Sequence, residues 1–99
     1  MSLLPTMLRL PATLTHAQAA QVARELEGQV ASQSADVVLE ASELHEFDSS
    51  ALAVMLACRR DALAHGKAFS VRGMPARLRQ LAGLYGVAEL VPAALPTAV

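Results

Sequence analysis

Aromatic side chains make up only 3% of this 99-residue chain, and tryptophan is absent. A core with so few rings must be assembled from Ala, Leu and Val, which dominate the 54% apolar content. There is one cysteine, Cys58. A lone cysteine excludes an internal disulfide framework and fits a reducing compartment. Neither sign of charge prevails, and the formal net charge is −1. That removes any global bias toward nucleic acid or an anionic membrane. No apolar run approaches the roughly 18–20 residues of a membrane span; the longest unbroken one is Ala51–Cys58. Ala17-Gln18-Ala19 mimics a signal-peptidase site. No basic segment precedes it, however, and Pro5, Arg9 and Pro11 interrupt the apolar content before it, so a cytoplasmic chain is expected.

What is present reads as one domain over residues 1–99, with its core at about 7–92 and a loose tail at 93–99. Met7–Leu14 alternates in part and predicts a strand, which Pro11 demotes to an edge or a bulge. Thr15-His16-Ala17-Gln18 has the spacing of a capping box, with Leu14 placed as a staple. Ala19, Val22, Leu26 and Val30 then recur at helical spacing up to the polar Ser32-Gln33-Ser34. Val37–Ala41 is short, apolar and β-branched, which suits a central strand covered on both faces.

Ser42–Asp48 predicts a loop carrying Glu43, Glu46 and Asp48. A helix is expected from Ser49 to about Ala64, closed by His65-Gly66. Its first half is apolar almost all round and should pack centrally, while Arg59, Arg60 and Asp61 should face water. Ala68–Val71 reads as a third strand, and Arg72-Gly73 as a turn. Pro75 suits the first position of a helix whose apolar face is Leu78, Leu81, Leu84 and Tyr85, with Gly86 ending it. Val87–Val91 is left as a short strand or coil. This β-α-β-α-β-α order predicts an α/β fold with a small, mainly parallel sheet flanked by helices.

The stretch richest in chemistry is Phe47-Asp48-Ser49-Ser50, directly before the apolar helix. A helix N-terminus exposes unpaired N–H groups and carries the positive end of the macrodipole. A hydroxyl at that end can cap the helix, receive a phosphate, or meet a partner's polar groups. Ser49 is the main candidate, both as a plain N-cap and as a partner-facing group. Asp48 can fix the loop by accepting backbone N–H bonds or face a partner. Ser50 lies one step further into the helix.

The strand Val37–Ala41, the Asp48-Ser49-Ser50 step, the helix after it, the strand Phe69–Arg72 and the helix near Leu78–Tyr85 together resemble the STAS domain family. Leu81-Ala82-Gly83-Leu84-Tyr85-Gly86-Val87, followed by Glu89-Leu90-Val91-Pro92, is most similar to its MlaB type, the small subunit of Mla phospholipid ABC transporters. The resemblance implies a STAS-like α/β fold and a non-catalytic role at the cytoplasmic side of the inner membrane. It implies docking on the transporter's ATPase subunit, with Ser49 at the contact; Asp48 and Ser50 are partner-binding candidates with it, and His45, Glu46 and Phe47 of the same loop are candidates for the surrounding surface. Within the wider family it also implies an alternative, an anti-sigma-factor antagonist that binds a serine-kinase anti-sigma factor and is regulated by phosphorylation of Ser49. Two departures stand out: Ala51 follows the serine pair where many antagonists have Gly, and Pro11-Ala12-Thr13-Leu14-Thr15 replaces the Gly-x-Leu/Ile-Asp motif.

Other constellations read as ordinary surface or core. One histidine among the carboxylates Glu43, Glu46 and Asp48 is a solvated acidic loop rather than a metal site, and no metal or other cofactor is expected. Ser49, His45 and Asp48 crowd one short loop with no oxyanion-hole signature, so no enzyme is expected. Arg59, Arg60, Lys67, Arg72, Arg77 and Arg79 read as scattered surface charge without the aromatic interleaving of base stacking. Cys58 belongs to the apolar helix and reads as core.

Overall fold

The computed structural model describes residues 6–94. Three parallel strands form the main sheet in the order β1-β3-β5: β1 is Thr6–Arg9, β3 is Val37–Glu40 and β5 is Phe69–Arg72. The register sets Leu8 beside Leu39 and Leu39 beside Val71. Three α-helices accompany the strands: α1 (His16–Ser32), α2 (Ser50–Ala64) and α3 (Ala76–Leu84). A 3-10 turn at Ala88–Leu90 follows α3. The predicted alternation of strand and helix is therefore what the chain adopts.

Alternation along each strand decides which face is core. Leu8, Val37, Leu39, Phe69 and Val71 point to the helical side and are buried in one cluster with Leu26 and Val30 of α1 and Leu52, Met55 and Cys58 of α2. Each such aliphatic side chain, fully buried, contributes about 1.5–3 kcal/mol. Val38 is also buried but lies outside that cluster, while its neighbours in register are Met7, which is exposed, and Ser70, which is half-buried. As expected, β3 is the central strand.

Several local expectations are corrected. Met7–Leu14 is not one strand. Pro11 interrupts it, and Thr13–Leu14 forms a separate strand, β2, pairing in parallel with β4 (Glu46–Phe47). Ser42–Asp48 is consequently only partly a loop. Pro75 immediately precedes α3 instead of occupying its first position. Leu84 and Tyr85 do not join Leu78 on the buried face of α3 but are exposed. Arg59 and Asp61 are half-buried, and only Arg60 of that trio is exposed.

Lys67 is not a surface charge. It is buried, and its Nζ donates to the carbonyls of Val30 and Gln33, at the C-terminal end of α1. A cation at that end meets the last carbonyls of the helix and the negative end of the macrodipole.

Beyond Pro92 the chain is not loose at once. Val71 N–H donates to Pro92 O and Ala94 N–H to Val71 O, each at 2.8 Å, so this segment lies parallel to β5. The rest of the expected tail, residues 95–99, lies outside the described residues, as do residues 1–5.

Candidate functional site

The capping box predicted at Thr15 is formed. Gln18 Oε1 accepts from Thr15 N–H at 2.9 Å, and Thr15 Oγ1 accepts from Ala17 N–H at 3.4 Å. It fixes the start of α1 close to the β2–β4 ribbon. That ribbon is held by His45 and Glu46 N–H groups, both donating to Ala12 O at 3.0 Å, and by Thr13 Oγ1 donating to Glu46 Oε1 at 3.2 Å. The ribbon sets the direction from which Phe47-Asp48 enters α2.

At α2 the expected backbone-accepting role of Asp48 is realised, and the plain N-cap role of Ser49 is not. Ser49 already has helical angles, φ −63° and ψ −15°, and its side chain makes no capping hydrogen bond. Asp48 does the capping. Its Oδ1 accepts the Ser50 N–H at 2.8 Å, and its carbonyl accepts the Ala51 N–H at 3.0 Å. Its second carboxylate oxygen, Oδ2, accepts the N–H of His16, the first residue of α1, at 3.1 Å. One carboxylate thus holds the N-termini of both long helices.

The electrostatics follow. The Ser50 N–H lowers the Asp48 pKa most, opposed by some desolvation and assisted by the His16 N–H, the Ser50 hydroxyl and the His16 ring. The acid is held in its charged form where two helix dipoles meet.

The other candidate residues surround this point. Ser49 is exposed and Ser50 half-buried. His45 is exposed, with Nδ1 donating to Glu43 O at 3.0 Å, and Glu46 is exposed on β4. Phe47 is half-buried, and the guanidinium of Arg77, at the start of α3, stands 5.1 Å from its ring centroid. That is cation–π distance. Sequence reading missed this contact, because nothing local in Arg77 or Phe47 signals which strand ribbon α3 abuts.

In this arrangement Asp48 binds backbone N–H groups and His45 Nδ1 binds the Glu43 carbonyl, so the Asp48 carboxylate orients the helix starts and the His45 ring is oriented by main chain. Among the described residues no group of three or more His, Cys, Asp or Glu is placed to hold a metal ion. Cys58 is buried, and desolvation, with Asp61 contributing, pushes its thiol up to about 12. A thiol so raised is a weak nucleophile at neutral pH. No helix among the described residues is long and apolar enough to cross a membrane.

Among curated proteins, none matches the chain. A family model described as "Mlab, STAS domain" matches residues 2–92, which takes in every strand and helix described above and the Asp48-Ser49-Ser50 step. The chain therefore belongs to the MlaB-type STAS domain family.

Proposed function

We propose that the chain is a non-catalytic subunit that docks on the ATPase subunit of a Mla-type phospholipid ABC transporter, a system maintaining outer-membrane lipid asymmetry. It sits in the cytoplasm, held at the inner membrane through that partner, and ATP hydrolysis belongs to the partner. The family match supports this reading. The observation that carries it is local: Asp48 caps α2, so Ser49 stands exposed at the helix start with a hydroxyl that the fold does not use as a cap. A polar group released from structural duty, at a helix end held by Asp48, suits recognition of a partner.

An exposed hydroxyl at this position is also what a serine kinase needs, which favours an anti-sigma-factor antagonist as the second reading. A phosphate on Ser49 would stand beside Asp48 and near Glu46, and like-charge crowding would disfavour docking on an acidic or apolar surface. Mass spectrometry of what co-purifies with the tagged chain, at native level in its own host, tests the choice. The transporter reading expects an ABC ATPase and its permease, a stable complex, and at most partial loss with Ser49→Ala. Recovery of a serine kinase, phosphate on Ser49, a constitutively binding Ser49→Ala and a non-binding Ser49→Asp would overturn it.

A further inference from the structure

Helix α3 carries the most exposed large apolar side chains described in the molecule. Leu84 at its end is 81% exposed and the adjoining Tyr85 59%. The helix buries Leu78 and Ala82, while Ala76, Arg77, Gln80, Gly83 and Leu84 are exposed. These spacings of three and four put the exposed residues on one outward stripe. A single exposed leucine is ordinary. Leu84 finishes that stripe, and Tyr85, capping the helix end beside it, is a second exposed large apolar group, so the helix end leaves uncovered surface whose removal from water is favourable.

The charges of α3 give its chemistry. The helix has Arg77 and Arg79 and no acidic residue. Arg79 is turned inward, its Nη1 donating to Val91 O at 2.8 Å, so Arg77 is the outward cation. It stands at the positive end of the helix dipole, where the two effects add. Its guanidinium also lies over Phe47, the residue before Asp48-Ser49. The stripe therefore begins beside the docking end of α2 and runs about 10 Å along α3 to Leu84. Glu46, next to Phe47 on β4, is exposed, and the exposed Glu43 is ion-paired with Arg9 at 3.3 Å.

We propose that the outward face of α3 is the second half of the docking surface, and that its occupant is a part of the ATPase subunit that sets a carboxylate against Arg77 and an apolar side chain over Leu84 and Tyr85. This inference rests on the transporter reading above and names the partner's chemistry. Arg77 and Leu84 set a cation and an apolar group about 10 Å apart along the stripe, so a partner carrying a carboxylate and an apolar side chain at that spacing matches it in one orientation only.

The test is isothermal titration of the purified full chain with the purified ATPase subunit from the same host. Leu84→Ser with Tyr85→Ser is expected to weaken binding by about tenfold or more, as for truncation of apolar anchors. Arg77→Glu is expected to weaken it by a similar factor at low salt, less so at about 0.5 M salt, where screening is strong. Should the double variant lose its cooperative melting, Leu84→Lys carries the same test at an 81% exposed position. Binding of these variants within twofold of the parent, while Ser49→Arg abolishes it, overturns the inference and leaves docking at Ser49 standing. No binding by the parent chain overturns the transporter reading and this inference with it.

Discussion

Asp48 and His16 are 32 residues apart in the chain, yet the carboxylate Oδ2 of one accepts the backbone N–H of the other at 3.1 Å. Since Oδ1 of the same carboxylate caps α2 through Ser50, the two helices that cover the sheet are aligned at their starts by one side chain. The position of Ser49 relative to α1 is thus set by hydrogen bonds from backbone N–H groups to one carboxylate, which are directional and short in reach.

Asp48→Ala should therefore destabilise the domain more than loss of an ordinary cap does, because both helix starts lose an acceptor. A fall in Tm on the order of 5 °C or more is expected by differential scanning calorimetry, with Asp48→Asn, itself a good cap, in between. The acid dependence has a definite sign. The folded-state pKa of Asp48 lies below its ordinary 3.8, so its contribution is full above that value and is lost as pH falls through the folded-state pKa. The Tm difference between the parent and Asp48→Asn should shrink between about pH 5 and pH 2. Glu40 is also held low, chiefly by hydrogen bonding to Ser42 and also by Arg72 and Arg9, so some acid sensitivity remains in the variant.

The fold was legible where a signal is periodic and local. The strands at Val37–Glu40 and Phe69–Arg72, the helices α1 and α2, and the Thr15–Gln18 capping box all follow from spacing within a few residues. What sequence could not show is decided by distant partners. Thr13–Leu14 becomes a strand because Glu46–Phe47 lies beside it. Lys67 becomes a buried cap because the end of α1 arrives there. Leu84 and Tyr85 fit the apolar face of α3 by type, but no core reaches that end of the helix. At the site, the Asp-Ser-Ser step identified the right loop. Which residue caps was not legible, because Asp48 and Ser49 are both good caps and backbone angles chose between them.

Gly73 gives a test of close packing. Its φ is +69°, and a Cβ there would stand 2.8 Å from Ser42 Cβ and 3.1 Å from Ser42 Cα. Gly66 has nearly the same angle, φ +72°, but open space around it. Gly66→Ala should cost only the left-handed conformation, about 1 kcal/mol. Gly73→Ala adds a clash and should cost about 2–4 kcal/mol in urea unfolding. Equal losses at the two sites would mean that the Ser42 turn yields freely.

Lys67→Met keeps the aliphatic stem but removes the ammonium from the Val30 and Gln33 carbonyls. The loss expected is about 1–3 kcal/mol, the range for charged hydrogen bonds broken at a buried site. Hydrogen exchange locates it: amides in the last turn of α1 should lose protection before those of β3. Lys67→Arg should recover part of the stability if charge is what matters, because the guanidinium keeps donors at the helix end.

Ser49 offers the sharpest separation of fold from function. Its side chain makes no cap hydrogen bond and it already has helical angles, so Ser49→Ala should change stability by less than about 0.5 kcal/mol, as for surface substitutions away from special features. Alanine also favours the helical conformation that residue 49 holds. Any loss of partner binding in Ser49→Ala, measured by titration alongside an unchanged melting curve, then belongs to the contact itself. Asp48→Ala should show the reverse order of effects, with melting lowered first and binding reduced through the displaced helix starts. If Ser49→Ala instead melted several degrees lower, its hydroxyl would be serving α2 after all, and the surface that Asp48 leaves free for recognition would have to lie elsewhere.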